Sequence, residues 1–250
     1  LVVWSDLDKC DWRTAQSIFK NSEFTIGRIY RYFINNDRAK IRMAAFLGRG
    51  TNPVTDDVVS ANDPLYLTPN ETLPAPWNAE PMFEQHGAPQ VIQIGLNGKA
   101  LAVTVTISVA KKVARDGHNA GDQPHGRHAK NNVGVSVVRA ERELELQTGW
   151  CIQSDPRERW WGVEVNFPPE LDEVFGVTNN KQSARTLAEF AEVGVDQIAE
   201  REGYSSESEL MEAWEQDQDP RLILIHVKQA VERNLSAIRK VIKAQATPRQ

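Results

Sequence analysis

An α/β fold is predicted, with helices before and after a strand-rich middle and a helical C-terminal region. Three observations carry this. In residues 101–109, Leu101, Val103, Val105, Ile107 and Val109 are apolar while Thr104, Thr106 and Ser108 are polar, the period of a strand with one buried face. Residues 159–168 alternate through Trp161, Val163, Val165 and Phe167. Leu224, Val227, Val231, Leu235, Ile238 and Ile242 recur at spacings of three and four, one apolar helix stripe.

The elements follow in order. Residues 11–36 read as helical: Asp11 can cap a segment carrying Trp12, Ala15, Ile18 and Phe19, and Ser22 a second carrying Ile26, Ile29, Tyr30 and Phe33. Asn35-Asn36-Asp37 ends it, and Ile41, Met43 and Ala45 suggest a strand. Seven prolines between Pro53 and Pro89 interrupt residues 48–90, so this stretch reads as loop, pinned to the body by Trp77, Met82 and Phe83. Residues 91–96 run into Asn97-Gly98, the favoured two-residue hairpin turn because both positions need positive φ. Residues 115–132 are polar and glycine-rich and are expected to be a mobile loop without a core. Residues 133–139 form another strand, followed by Ala140-Glu141-Arg142-Glu143-Leu144.

After the strand of residues 159–168 comes Pro168-Pro169, then a polar loop, then a helix from about residue 183. Residues 186–202 read as one helix bearing Leu187, Phe190, Ala191, Val195 and Ile198. Ser206 with Glu209 forms a capping box for a helix carrying Leu210, Met211 and Trp214. Asp219-Pro220 is a cap followed by proline and starts the last helix.

Composition narrows the function classes. The 250 residues suffice for one large or two small domains. A net charge of −5 gives no whole-chain field for nucleic acid. The two cysteines, Cys10 and Cys151, lack CxxC spacing and argue against a disulfide scaffold or a structural zinc site, so a reduced, cytoplasmic setting is expected. No apolar run approaches the roughly 18 residues of a membrane span, and no membrane partner is expected.

Several clusters have ordinary readings. His118, His125 and His128 match no zinc signature, and no metal site is expected. Lys111, Lys112, Arg115, Arg127, His128 and Lys130 make one region locally basic, which fits either a solvated loop or a phosphate-contacting patch. Gly95-Leu96-Asn97-Gly98-Lys99 is explained by the hairpin and is not a P-loop. Asp155, Arg157, Glu158 and Arg159 read either as an interface ion-pair cluster or as a solvated turn. Glu170 and Asp172 read as an exposed turn, not an acid–base pair.

The segment Gly176-Val177-Thr178-Asn179-Asn180-Lys181-Gln182 places one cation on a loop between a strand and a helix, where a lysine can be aimed at a phosphate. Strand, short turn and Asn-Asn-Lys-Gln resemble the end of the transducer domain in MORC-type members of the GHKL ATPase superfamily, which includes gyrase B, MutL and the large ATP-dependent chaperones. Gly134-x-x-Val137-x-Arg139-x-x-Arg142 resembles the strand-turn-strand of the same domain, whose turn presents an arginine-bearing edge. Leu1-Val2-Val3-Trp4, left by Asp6-Leu7-Asp8-Lys9, resembles the last strand of a GHKL ATPase domain.

This resemblance implies a mixed sheet with helices on one face. It divides the chain into the end of an upstream ATPase domain at residues 1–10, a transducer-like domain at 11–185 and a helical region at 186–250. It implies that Lys181 reaches the γ-phosphate of ATP, with Asn180 and Gln182 in support. ATP and Mg²⁺ belong to the longer parent protein. No Glu-x-x-x-Asn helix, Asp-x-Gly-x-Gly turn or glycine-rich lid occurs in these residues. No catalytic residue and no bound cofactor is therefore expected in this segment alone. ATP-driven homodimerisation, and a DNA-handling partner in a bacterial defence system, are implied for the parent. Two other readings stay open: a protein-interaction module using the proline-rich loop and last helix, or a nucleic-acid-binding domain using residues 111–130 through Lys111, Lys112, Arg115 and Arg127.

Overall fold

The computed structural model describes residues 2–5, 10–48, 50–116 and 119–244. The chain forms two compact units, Leu1–Asn62 and Asp63–Gln250. Leu1, Asp6-Leu7-Asp8-Lys9 and His118, named above, lie outside the described residues.

In the first unit, α1 (Ala15–Ile29) and α2 (Arg31–Asn35) are followed by the antiparallel pair β1 (Arg42–Ala45) and β2 (Thr55–Val58). The Thr14 hydroxyl caps α1 by accepting from the Ser17 N–H at 3.1 Å. Neither expected cap, Asp11 nor Ser22, serves: Ser22 lies inside α1, because the apolar spacing runs unbroken through it. Strand β2 falls in the stretch expected to be loop, since Thr-Asp-Asp-Val carries little strand propensity. It is held by its register and by a two-pronged Arg42–Asp56 ion pair, 2.6 and 2.7 Å. Gly27 is buried because the chain returns against it: a Cβ there would collide with the Ser60 carbonyl. Residues 2–5 lie in no helix or strand, and Val2, Val3 and Trp4 are exposed. The strand expected there has no neighbour among the described residues, and a lone strand has no ladder.

The second unit is α/β, built on a mixed six-stranded sheet. Its strands are β3 (Phe83–Gln85), β4 (Gln90–Leu96), β5 (Lys99–Ala110), β6 (Val135–Arg139), β7 (Arg142–Gln147) and β8 (Trp161–Phe167). Strands β3 and β4 both pair with β5, whose other side meets β8 antiparallel. Strand β8 then meets β6 in parallel, and β6 meets β7 antiparallel. The Asn97-Gly98 turn has φ of 51° and 75°, as its hairpin requires. Strand β6 is buried on both faces at its centre, as an inner strand should be.

Between β5 and β6 the expected mobile loop is instead folded. The short helix α3 (Lys112–Arg115) is followed by a 3₁₀ turn at Ala120–Asp122 and by α4 (Pro124–Lys130), which starts with proline at its first turn. The expectation failed because small residues, not large apolar ones, make this core. Ala120, Gly126 and Ala129 are buried, and a Cβ on Gly126 would lie 2.7 Å from the Gly121 Cα.

Helix α5 (Asp172–Phe175) follows β8 and docks by stacking Phe175 on Phe167, ring centroids 4.0 Å apart. The single helix expected over 186–202 is two, α6 (Arg185–Glu192) and α7 (Val195–Arg201), because Val193 is extended and Gly194 caps the second. Ser206 caps α8 (Glu207–Gln216), accepting from the Glu209 N–H at 3.2 Å. The 23-residue α9 (Leu222–Ala244) lies against β4, β5 and β8 and buries the whole expected stripe from Leu224 to Ile242. These helices share one core with the sheet. No described helix is long and apolar enough to cross a membrane.

Candidate functional site

Two of the three segments that carry the resemblance, residues 134–142 and 176–182, meet in space. Arg139, the last residue of β6, pairs across the Ala140-Glu141 turn with Arg142, the first of β7. Both turn residues have positive φ, 48° and 65°, so the two strands reverse in two residues. Arg139 sends two parallel hydrogen bonds to Asp172 at the start of α5, 2.6 and 2.9 Å. Arg142 donates from Nη1 to the Lys181 carbonyl at 2.9 Å. The arginine edge is thus the brace of the lysine loop.

The loop itself is a tight closed turn. Gly176 ends α5 with φ of 67°, and the Val177–Ala184 bridge brings the two ends of the loop together. The Lys181 N–H donates to the Thr178 carbonyl at 2.8 Å, and Lys181 takes φ of 54°, uncommon for a side-chain-bearing residue. The Thr178 hydroxyl donates to Asn180 Oδ1 at 2.6 Å and Asn180 Nδ2 to Gln182 Oε1 at 2.9 Å. Both amides therefore hold the loop's shape while their side chains remain exposed at its tip. Beyond it, Glu145 of β7 accepts from the Ala184 N–H at 2.8 Å, anchoring the start of α6.

Lys181 Nζ lies 2.7 Å from Asp172 Oδ2, so Asp172 sits between two cations. Glu170 is exposed as expected, but Asp172 is half-buried, which corrects the exposed-turn reading for that residue; its partners are 33 and 9 residues away, beyond any local pattern. Burial by itself pushes the Asp172 carboxyl up, but the hydrogen bonds and charges of Arg139 and Lys181 outweigh it and hold the carboxyl below the usual range. The Lys181 side chain keeps 41 % of its surface exposed. The ammonium is held, but from one side only. A stronger anion arriving from solvent could take it over while Asp172 kept Arg139, and Arg142 would still fix the backbone.

The basic segment is more constrained. Lys111 immediately precedes α3 and donates its N–H to the Met82 carbonyl at 3.1 Å; Lys112 pairs loosely with Asp116 at 3.9 Å. Arg115 Nε donates to the Ala110 carbonyl and Arg127 Nε to the Asp122 carbonyl, 2.9 and 2.7 Å. Both arginines thus brace their own turns. His125 bonds the Ala114 carbonyl at 2.9 Å. His128 lies between the Tyr66 hydroxyl at Nδ1, 2.7 Å, and the Thr72 hydroxyl at Nε2, 3.2 Å. The Tyr66 hydroxyl also accepts from Asn132 Nδ2 at 2.9 Å. Burial pushes the His128 pKa down to about 4, which suits a neutral structural ring. No group of three metal-ligating side chains is present among the described residues.

Glu158, within the 3₁₀ segment Pro156–Trp160, is 4 % exposed at its side chain and pairs with Arg239 of α9 through both carboxylate oxygens, 2.8 and 2.7 Å. Arg159 Nη1 donates to the Gly121 carbonyl at 2.6 Å. Of the two readings of this charged turn, neither covers what Glu158 and Arg159 do: they tie it into the unit's own interior. Burial first and Glu158 second push the Cys151 thiol beside it up to about 12, which disfavours the thiolate at neutral pH.

No protein-family model, curated protein or solved structure matches the chain.

Proposed function

We propose that this chain is the transducer part of a GHKL-type, MORC-like ATPase, and that Lys181 reports nucleotide state by exchanging Asp172 for the γ-phosphate. The observation that supports it most is the convergence of Arg139, Arg142, Asp172 and Lys181 on one loop. The residues fit a single phosphate contact: an ammonium on a rigid turn, exposed on one side, with the Asn180 amide exposed beside it. They do not form a nucleotide pocket, which belongs to the upstream ATPase domain in this reading. When bound there, Mg-ATP would supply the anionic group that competes with Asp172 for the Lys181 ammonium.

In the phosphate-free state Asp172 neutralises Lys181 and orients it. Arg142 and the Thr178 turn keep the loop backbone in place in either state, so the exchange moves a side chain rather than a segment. A charge-assisted contact of this kind contributes about 1.5–3 kcal/mol. Moving a two-state equilibrium from 1:99 to 99:1 needs about 5.5 kcal/mol. Lys181 therefore biases a domain arrangement without setting it alone, and Asn180 and Gln182 are its nearest helpers. Homodimerisation on ATP, a DNA-handling or defence role and a cytoplasmic setting belong to the same proposal.

The test is the reactivity of Lys181 in the longer protein. Amine labelling quantified by mass spectrometry, with and without a non-hydrolysable ATP analogue and Mg²⁺, should show Lys181 protected by nucleotide. Equal labelling in both conditions would remove the γ-phosphate role.

A further inference from the structure

Strand β4 has one paired edge. Every residue from Gln90 to Leu96 is in register with β5, and the other edge of β4 has no strand neighbour among the described residues. Leu96 and Lys99 flank the two-residue turn, the position at which a hairpin exchanges both backbone hydrogen bonds. Alternation then directs the N–H and C=O groups of Gln90, Ile92, Ile94 and Leu96 toward β5. Those of Val91, Gln93 and Gly95 point outward. Natural edge strands are blunted by charge, proline or a bulge. Strand β4, Gln-Val-Ile-Gln-Ile-Gly-Leu, has no charge and no proline, and its register with β5 is unbroken.

The side chains make this edge complementary to itself. Consider two copies of β4 antiparallel about a two-fold axis through Gln93. The outward backbone groups then meet as Val91 with Gly95 of the second copy, Gln93 with its own equivalent, and Gly95 with Val91. Val91 is 58 % exposed, unusual for a large apolar strand residue, and a Cβ placed on Gly95 has nothing within 4 Å. The bulky position faces the empty one. On the opposite face Ile92 meets Ile94 of the second copy. A groove of about 390 Å³ runs along this edge, lined by Gln93, Ile94 and Gly95 of β4 and by Trp214, Pro220 and Leu222 among others.

We infer that β4 is a homodimer interface, in which two copies of this chain join edge to edge through Val91, Gln93 and Gly95 into one continuous sheet. The occupant is a second copy rather than an unrelated strand, because only the Gln93-centred register sets Val91 over Gly95 twice. The pairing needs no nucleotide and stands apart from the Lys181 proposal.

Sedimentation equilibrium of the chain across a range of concentrations tests this, together with three substitutions at the axis. Gln93→Lys sets two ammonium groups opposite each other and should raise the dimer dissociation constant about tenfold or more. Gln93→Pro removes one outward N–H and leaves the β5 ladder whole, so it should weaken the dimer with an unchanged circular dichroism spectrum. Gln93→Cys should cross-link two copies on mild oxidation, since directly opposed hydrogen-bonded residues lie about 5.5 Å apart at Cα, within disulfide range. Peptide mapping distinguishes that bond from Cys10 or Cys151. A chain that stays monomeric at every concentration overturns the inference. A dimer indifferent to both Gln93→Lys and Gln93→Pro, with no cross-link through position 93, also overturns it.

Discussion

Asp172 holds Lys181 at 2.7 Å while accepting two hydrogen bonds from Arg139, so one carboxylate joins the end of β6, the start of α5 and the tip of the lysine loop. Its removal leaves two half-buried cations without their anion. Asp172→Asn should destabilise the fold by about 1–3 kcal/mol, measured by urea unfolding at neutral pH. The folded-state pKa of Asp172 is depressed, so its contribution is complete above the unfolded value of about 3.9 and is lost as pH falls through the folded one. The gap between wild type and Asp172→Asn should therefore close in acid. A gap that widened there would contradict the assignment.

His128 gives a second pH signature, with the same sign from a base. Its pKa falls from 6.5 in the unfolded chain to about 4 in the fold. The unfolded chain thus binds the extra proton first, and stability drops as pH is lowered from 6.5 toward 4. His128→Gln, which cannot titrate, should flatten the urea midpoint across that window. An unchanged slope would mean that another group carries it.

The Glu158–Arg239 pair is the buried ionic link between α9 and the segment before β8. Arg239→Met leaves Glu158 buried and uncompensated and should cost about 3–5 kcal/mol. Adding Glu158→Gln should restore much of the loss, because the pair's worth lies mainly in mutual compensation. A double-mutant cycle in urea measures the coupling. Additive effects would show that the two groups do not depend on each other.

Gly126→Ala sets two effects against each other. Alanine is better than glycine in a helix by roughly 1 kcal/mol. The added Cβ would sit 2.7 Å from the Gly121 Cα and collide with the Ala120 carbonyl, both backbone groups that cannot swing aside. Overpacking of this kind costs about 1–3 kcal/mol, so the net effect should be destabilising, seen as a lower melting temperature. A rise would mean that the 120–126 turn yields easily.

What could be read from the sequence follows a physical division. Elements set by local chemistry were legible: the Asn97-Gly98 hairpin, the Ser206 cap, and the α9 stripe, each encoded within a few residues. Elements set by contact at a distance were not. Helix α4 owes its place to Gly126 fitting against Ala120, and nothing in a polar stretch announces that fit. Strand β2 exists because β1 pairs with it and Arg42 meets Asp56. At the candidate site the sequence pointed to Lys181, Arg139 and Arg142 as separate features, and their common partner Asp172 was hidden because its meaning depends on a residue 33 positions away. The one available signal was the arginine edge itself: a strand turn presenting Arg139 on a half-buried face needs an anion nearby.

The most direct test of the central claim is ATP turnover by the longer protein under saturating Mg-ATP, comparing wild type with Lys181→Ala and with Asp172→Asn. Loss of a γ-phosphate contact should cut turnover by about tenfold or more in Lys181→Ala, with the circular dichroism spectrum preserved. Asp172→Asn, which frees the lysine, should retain turnover. Equal turnover in wild type and Lys181→Ala would contradict the account and leave Lys181 as a structural partner of Asp172.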